Sequence, residues 1–339
     1  MSQKRNAVTI QDVAKTAGVS VSTVSRVLNG KVDVAPETQS RIRDVIEQMG
    51  YTSNLAAISM RGQKTYLIGL IMPDIAYPFA FEVMKGVNRS VAESDYDLLV
   101  FTTGDVRKYG TASHEQRYVS MLSNSITDGV LIVAPAASNF SASTPIVSVD
   151  PLTTDPDYPS VHATNYRGAL DAMNYLIGLG HRRIGYIGGR AGLESAVRRL
   201  KGYRDALSQA GIPLDEALIT GGDYTTETGA EYARTLLSLD NPPTAIFASN
   251  DQSALGVYQT AHEMRLRIPE DLSVVGFDNI PDSAYADLTT VDQFITEMGY
   301  IASKMLIDLI NGATLTEKIH QVQTKLVIRG SCRDLKDSK

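Results

Sequence analysis

Residues 9–29 read TIQDVAKTAGVSVSTVSRVLN, and this stretch decides the N-terminal fold. Thr9 and Asp12 have the spacing of a capping box, in which each side chain satisfies the other's backbone N–H. Ile10, Val13, Ala14 and Ala17 then fall at i, i+3, i+4 and i+7, one apolar stripe along a helix. Gly18 supplies a sharp turn, and Ser20 is suited to start a second helix as its N-cap. In that helix Val24, Val27 and Leu28 are expected to face inward, with Ser22, Ser25, Arg26 and Asn29 outward. Small hydroxyls, an amide and an arginine on one exposed face suit the major groove of DNA, where arginine can bond guanine O6 and N7. The pattern is that of a helix-turn-helix with its recognition helix second. The plain alternative is a helical hairpin with a solvated face.

A third helix is expected from Pro36 to Met49, with proline in the first turn where it is tolerated. Ile42, Val45, Ile46 and Met49 repeat the stripe and close a small three-helix core. Ala35 stands where a capping Ser or Thr would contribute about 1 kcal/mol. Gly50 ends the helix, and Tyr51 is expected to pack back on the head. Residues 52–64, TSNLAAISMRGQK, follow. Asn54 could cap a short helix over 55–60, too short to be stable alone in water.

The 339 residues suggest two or three domains, and 43% hydrophobic residues are enough for full cores. The net charge of −6 excludes a wholly basic nucleic-acid coat. Residues 1–64, however, carry nine Lys/Arg against five Asp/Glu, a balance of +4, which leaves −10 on the rest. A basic head on an acidic body fits a protein that presents only its head to phosphate. Cys332 is the single cysteine, so no internal disulfide can form, and no metal site is expected. The start, MSQKRNAVTIQD, has no apolar run, and no stretch has the length to span a bilayer, so a cytoplasmic protein is expected. His114, His162, His181, His262 and His320 are scattered without metal spacing. GYIGGR lacks a P-loop lysine, and there is no G-x-S-x-G elbow. His181, after Gly180, reads as a helix end. Catalysis and cofactors are therefore not expected.

From Tyr66 the pattern alternates. Strand-like runs are Leu67–Met72, Leu98–Phe101, Val130–Val133, Ile146–Val149, Ile184–Ile187, Ala245–Ala248 and Val274–Phe277. Helical segments near 79–93, 114–125, 166–179, 194–210, 226–238, 251–264 and 296–311 separate them. Repeated βα units imply parallel sheets, whose ligands sit beyond the carboxyl ends of the strands. The residues there are polar or aromatic: Asp74, Tyr77 and Phe79, then Thr103 and Asp105, then Asp150. In the second half come Asn250 and Asp251, then Asp278, then Gln293. Ser195 and Arg199 lie at i and i+4 on one helical face. Carboxylates, amides and arginine with a few aromatics would suit a hydroxylated ligand such as a sugar. Equally, a strand-end Asp or Asn can cap the next helix, and Asp251, opening DQSALGVY, fits that role.

Residues 8–62 resemble the head of the lactose-repressor (LacI/GalR) family of bacterial transcription regulators. The matching residues are Asp12, Val13, Ala14, Ala17, Gly18, Val19, Ser20, Thr23, Val24, Ser25, Arg26, Val27, Leu28 and Asn29. The rest resembles that family's effector core in MPDIAYPF, GHRRIGYIGG, RRLKGYRDAL, PPTAIFASNDQSALG, IPEDLSVVGFDN and LTTVDQ. The resemblance implies an α/β protein with a three-helix head and a two-lobed core like type I periplasmic binding proteins. The expected divisions are a head at 1–51, a hinge at 52–64, a core at 65–330 and a polar tail at 331–339. Lobe one is expected at about 65–162 and 293–321, and lobe two at about 163–292 and 322–330.

The resemblance also implies roles. Val21, Ser22 and Arg26 would read bases, while Thr23, Ser25 and Asn29 would position the backbone. In the hinge Asn54 would start a helix ordered on DNA, Ala57 would allow two such helices to approach, and Met60 takes the place of a minor-groove leucine. Ser53, Ile58 and Thr164 depart from the family pattern. Effector contacts would come from Asp74, Tyr77, Phe79, Asp150, Ser195, Arg199, Tyr224, Asn250, Asp278 and Gln293. A homodimer on a pseudo-palindromic operator is expected, since the tail SCRDLKDSK has no heptads for a tetramer helix. A nucleobase, a nucleoside or a partner protein remains an alternative effector, and a transport receptor an alternative function.

Overall fold

The structure, a computed structural model, describes residues 8–28, 34–51, 64–104, 111–124, 126–153 and 155–336. The chain divides into two compact units, residues 1–65 and 66–339.

In the first unit, α1 (Ile10–Ala17), α2 (Val21–Leu28) and α3 (Pro36–Met49) enclose a core of Val13, Ala14, Ala17, Val24, Val27, Val34, Ile42 and Val45. The capping box forms as read. Thr9 N–H donates to Asp12 Oδ2 at 2.9 Å, and Asp12 N–H donates back to Thr9 Oγ1 at 3.3 Å. Ser20 Oγ accepts from Thr23 N–H at 3.1 Å and starts α2. Ala35 makes no side-chain cap, while Gly50 closes α3 in the left-handed conformation at φ 61°. Tyr51 packs on the cluster. Leu28 corrects the inward reading, being 37% exposed. The buried direction bisects Val24 and Val27, and at about 100° per residue Leu28 lies roughly 70° away from it.

In the second unit, the first sheet has six parallel strands in the order β11 (Ile319–Val322), β5 (Ser160–Ala163), β4 (Ile146–Val149), β3 (Gly129–Val133), β1 (Leu67–Met72), β2 (Asp97–Thr102). The second has four parallel strands in the order β7 (Ile219–Thr220), β6 (Ile184–Ile187), β8 (Ala245–Ala248), β9 (Ser273–Val275). A short antiparallel ribbon pairs β10 (Thr290–Asp292) with β12 (Lys325–Val327). The strands β3, β4, β6 and β8 are buried along their whole length, as helices on both faces of a parallel sheet require. The last expected strand stops at Val275. Beyond it only single bridges form, where Gly276 and Asp278 donate to the carbonyls of Thr289 and Val291.

The chain passes between the sheets at three places: after β5, between β10 and α11 (Ile295–Ile310), and between β11 and β12. Helix α11 returns to the first sheet, packing Met298, Ala302 and Leu306 with Val83 and Val87 of α4 (Pro78–Ala92). The two helices approach very closely. A Cβ on Gly86 would lie 1.8 Å from Thr296 O, and one on Gly299 would lie 2.2 Å from Val83 O, so no other residue fits either notch. Among the described residues no helix is long and apolar enough to cross a membrane.

Candidate effector cleft and DNA-reading helix

Each sheet changes direction beside its first strand. Strand β1 has β2 on one side and β3 on the other, and β6 likewise has β7 and β8. The crevice beyond the carboxyl ends at such points is where open α/β sheets bind ligands. A narrow cavity of about 90 Å³ lies there, between the two sheets. One wall, from the first sheet, is mostly apolar: Pro73, Tyr77, Pro78, Phe79 and Ala80. The other, from the second, carries Arg190, Ser195, Arg199, Asp223, Asn250 and Asp278.

Arg199 is the hub of this wall. It is 3% exposed, and its Nε donates to Asn165 Oδ1 at 2.9 Å. Its Nη1 donates to the Ser249 carbonyl at 2.6 Å and lies 3.5 Å from Asp278 Oδ1. Its Nη2 reaches Gln293 Oε1 at 3.4 Å, and its plane stacks 3.8 Å from the Phe277 ring centroid. Gln293 Nε2 in turn donates to Asp278 Oδ1 at 2.6 Å. A planar fork with fixed donors is what such a five-partner position needs, and lysine could not replace it. Ser195 Oγ donates across the cavity to Asp150 Oδ2 at 3.0 Å, and Arg190 Nη2 donates to the Ala134 carbonyl at 3.0 Å. These two contacts draw the walls together.

Burial moves the acids. It pushes Asp278 up to about 7, an effect opposed by Arg199 and Gln293 and reinforced by Asp150. Asp150 also rises by burial, offset in part by Arg199 and Ser195. The backbone is strained at the same residues. Asp150 has φ 53°, Tyr224 φ 72° and Asp278 φ 121°, left-handed values that non-glycine residues hold only when the surroundings enforce them. Gly189 makes room for Tyr224, since a Cβ there would lie 2.1 Å from the ring carbon Cζ.

Nine of the ten expected effector residues therefore meet at one cavity: Tyr77, Phe79, Asp150, Ser195, Arg199, Tyr224, Asn250, Asp278 and Gln293. Asp74 does not line it. Its Oδ1 accepts from Ala76 N–H at 2.9 Å and holds the turn after β1. Capping explains Asn250 better than Asp251, contrary to the expectation for Asp251. Asn250 Oδ1 accepts from Ser253 N–H and caps α9 (Asp251–Glu263). Asp251 turns the other way, accepting from Ile280 N–H at 2.9 Å and Thr290 Oγ1 at 2.5 Å, and burial drives its carboxyl well upward. Arg190, Leu193, Asp223 and Gln252 were missed. Arg190 lies three residues beyond the end of β6 and Asp223 adjoins Tyr224, so reading every residue beyond the strand ends finds both.

On α2, Val21 is 40% exposed, Ser22 and Arg26 are exposed, and Thr23 and Ser25 are half-buried. Ser22 Oγ and Thr23 Oγ1 lie 2.7 and 2.8 Å from Ser20 Oγ, so the cap also fixes the first turn of this face. Asn29, Asn54, Ala57 and Met60 lie outside the described residues, as do Ser53, Ile58 and Asp105.

A helix-turn-helix unit joined to a two-sheet core with a cleft at its strand ends defines a ligand-responsive regulator class. Residues 9–54 match the model for bacterial regulatory proteins of the lacI family, and residues 173–332 match a periplasmic binding protein-like domain. The repressor CytR of Escherichia coli K12 is 34% identical over 98% of both chains. A transcriptional regulator CelR, solved as a cellobiose complex, is 30% identical over 96% of this chain and 99% of its own, with a TM-score of 0.71. The lac repressor dimer bound to operator and the anti-inducer ONPF shares the fold at a TM-score of 0.82 and 24% identity, over 97% of this chain and all of its own. The chain belongs to the lacI family and is a helix-turn-helix transcriptional regulator.

Proposed function

We propose that the cleft between the sheets binds a small hydroxylated molecule, a sugar, and that binding changes the affinity of the head for its operator. The observation that carries this reading is the Arg199–Asp278–Gln293 network. It brings a buried cation, carboxylate and amide to the carboxyl ends of the second sheet, facing an apolar wall from the first. Hydroxyls bond to the charged wall, while the apolar face of a sugar ring lies on Tyr77 and Phe79. A site built to bond hydroxyls rejects ligands that lack them, because its buried groups are then left unpaired. CelR's cellobiose complex supports the sugar class.

In this reading the chain divides into a head at 1–51, a hinge at 52–64, and lobes at about 65–162 with 293–321 and 163–292 with 322–330. Lobe movement is passed through residues 52–64 to a pair of heads in a homodimer. Val21, Ser22 and Arg26 read base edges on a pseudo-palindromic operator, with Thr23, Ser25 and Asn29 positioning the backbone and Asn54, Ala57 and Met60 serving the hinge. The cleft binds its ligand without turning it over. One observation favours a second ligand class: Pro73, Tyr77, Pro78 and Phe79 would also accept a planar base, so nucleosides belong in the screen.

The test is thermal shift of the full chain against sugars and nucleosides, since a ligand selective for the native state raises Tm. Asp278→Ala should abolish the shift while leaving operator binding intact. A retained shift removes Asp278 from the site.

A further inference from the structure

The two contacts that cross the cleft differ in what stands behind them. Asp150 and Ser195 both line the cavity, whereas the Arg190–Ala134 contact is backed by a side chain outside it. That side chain is Glu115, 2% exposed, on α5 (Thr111–Ser123). Val119 and Leu122 of α5 pack with Ile71 of β1 and with Val130 and Ile132 of β3, so Glu115 belongs to the first sheet's half.

Its carboxylate takes hold of the chain as it leaves β3. Ala136 N–H donates to Oε1 at 3.0 Å and to Oε2 at 2.9 Å, and Ala137 N–H donates to Oε2 at 2.9 Å. Two backbone donors on one side chain call for glutamate, because glutamine has a single acceptor oxygen and would turn an N–H against the other donor. Gln116, the next residue, pins the far end of the loop, with Nε2 donating to Asn139 Oδ1 at 3.2 Å. Ala134 stands between β3 and this clamp. It is held at φ 44°, and its N–H donates to the Val149 carbonyl at 2.8 Å. A non-glycine residue keeps such a left-handed conformation only where its surroundings enforce it. The Ala134 carbonyl is the acceptor that Arg190 reaches, from the segment between β6 and α7 (Glu194–Gln209).

The clamp also carries charge. Burial raises the carboxyls of Glu115 and Asp150, and Arg190 is among the groups that oppose the rise in both. Both carboxyls belong to the first sheet's half and Arg190 to the second's. A cation on one wall is therefore drawn toward carboxylates on the other, across a buried space where screening is weak.

We infer that Glu115 is a positioning residue for cleft closure: it sets the Ala134 carbonyl for Arg190 and supplies charge that draws Arg190 across, so that the two form a latch holding the walls together without ligand. This latch rests on the proposed lobe movement and gives that movement its resting position. A ligand enters when the latch opens, so the strength of the latch sets how readily the empty core leaves the closed state.

The test is hydrogen–deuterium exchange, read by mass spectrometry, on the ligand-free full chain as wild type, Glu115→Gln, Arg190→Ala and the double variant. A residue that only capped its own loop would, when lost, speed exchange at 134–140 and its surroundings in the same lobe. As part of the latch, Glu115→Gln should also speed exchange by about threefold or more at 188–195, on the far wall, and Arg190→Ala should do the same at 134–140. The double variant should exceed the faster single variant by no more than about twofold, because both residues act through one contact. Arg190 is half-buried and its loss uncovers one carbonyl, so that arm stands even if Glu115→Gln fails to fold. No ligand is added, so a failed thermal-shift screen leaves this test intact, and a failed latch leaves the sugar cleft in place. Unchanged exchange at 188–195 in Glu115→Gln, unchanged exchange at 134–140 in Arg190→Ala, or effects that multiply in the double variant would each overturn the latch.

Discussion

Replacing Asp278 by asparagine should make the ligand-free protein more stable at pH 8, with an advantage that fades as the pH falls. The carboxyl is 6% exposed, and burial raises it to about 7 despite Arg199 at 3.5 Å and Gln293 at 2.6 Å. In the unfolded chain it returns to about 4. A carboxyl raised on folding binds its proton more tightly in the native state, so ionisation costs native stability. That cost is absent below about pH 4, grows between about 4 and 7, and is complete above. A rise from about 4 to about 7 corresponds to at most about 4 kcal/mol. Asparagine keeps the Oδ1 acceptor for Gln293 and carries no charge, and Arg199 keeps its bonds to Asn165 and the Ser249 carbonyl. The variant should gain roughly 2–4 kcal/mol over the wild type at pH 8 and about 1 kcal/mol at pH 5. The chain has no tryptophan, so urea unfolding should be followed by circular dichroism at both pH values. An equal difference at the two pH values, or a less stable variant at pH 8, would refute the reasoning. The expected gain would mean that the wild-type carboxylate is held for its ligand at the expense of stability, as functional sites often are.

Other perturbations probe separate parts. Arg26→Ala should cost about 1–3 kcal/mol on the operator and relax preference at one base pair per half-site, measured by anisotropy on a set of single-base operator variants. Uniform loss on all of them would reduce Arg26 to a phosphate contact. Gly189→Ala drives a methyl into the Tyr224 ring, so ligand affinity measured by calorimetry should fall at least tenfold while operator binding holds. Unchanged ligand affinity would remove Tyr224 from the cleft. Ala35→Ser supplies the missing cap of α3 and should stabilise the head by about 1 kcal/mol, read from the head's thermal transition. No gain would mean that the first-turn amides of α3 are already satisfied.

What the sequence made legible was local. The Thr9–Asp12 box, the Ser20 cap and the glycine ends of α1 and α3 depend on residues within four positions of one another, and each formed as read. Long apolar runs such as Leu67–Met72 and Ala245–Ala248 were equally plain, because helices cover both faces of those strands. The short strands β5, β7, β10, β11 and β12 were not. Segments such as SVHA and IHQV are only four residues long and partly polar, and they become strands only because a neighbour offers its edge. The exchange of roles between Asn250 and Asp251 has the same origin. Nothing near residue 251 signals that Ile280 and Thr290 will approach it. Asp74 follows its strand like the true cleft residues, and only the turn it holds sets it apart.

The central claim is that a ligand in the cleft controls the head. The most direct test begins by selecting bound sequences from random duplex DNA with the full chain. The dissociation constant for the selected operator is then measured with and without the sugar or nucleoside that gives the largest thermal shift. A pseudo-palindromic consensus and a ligand-driven change of about 5- to 150-fold are expected, the usual range of coupling between two sites. No enriched sequence, or an operator affinity unchanged at saturating ligand, would contradict the account.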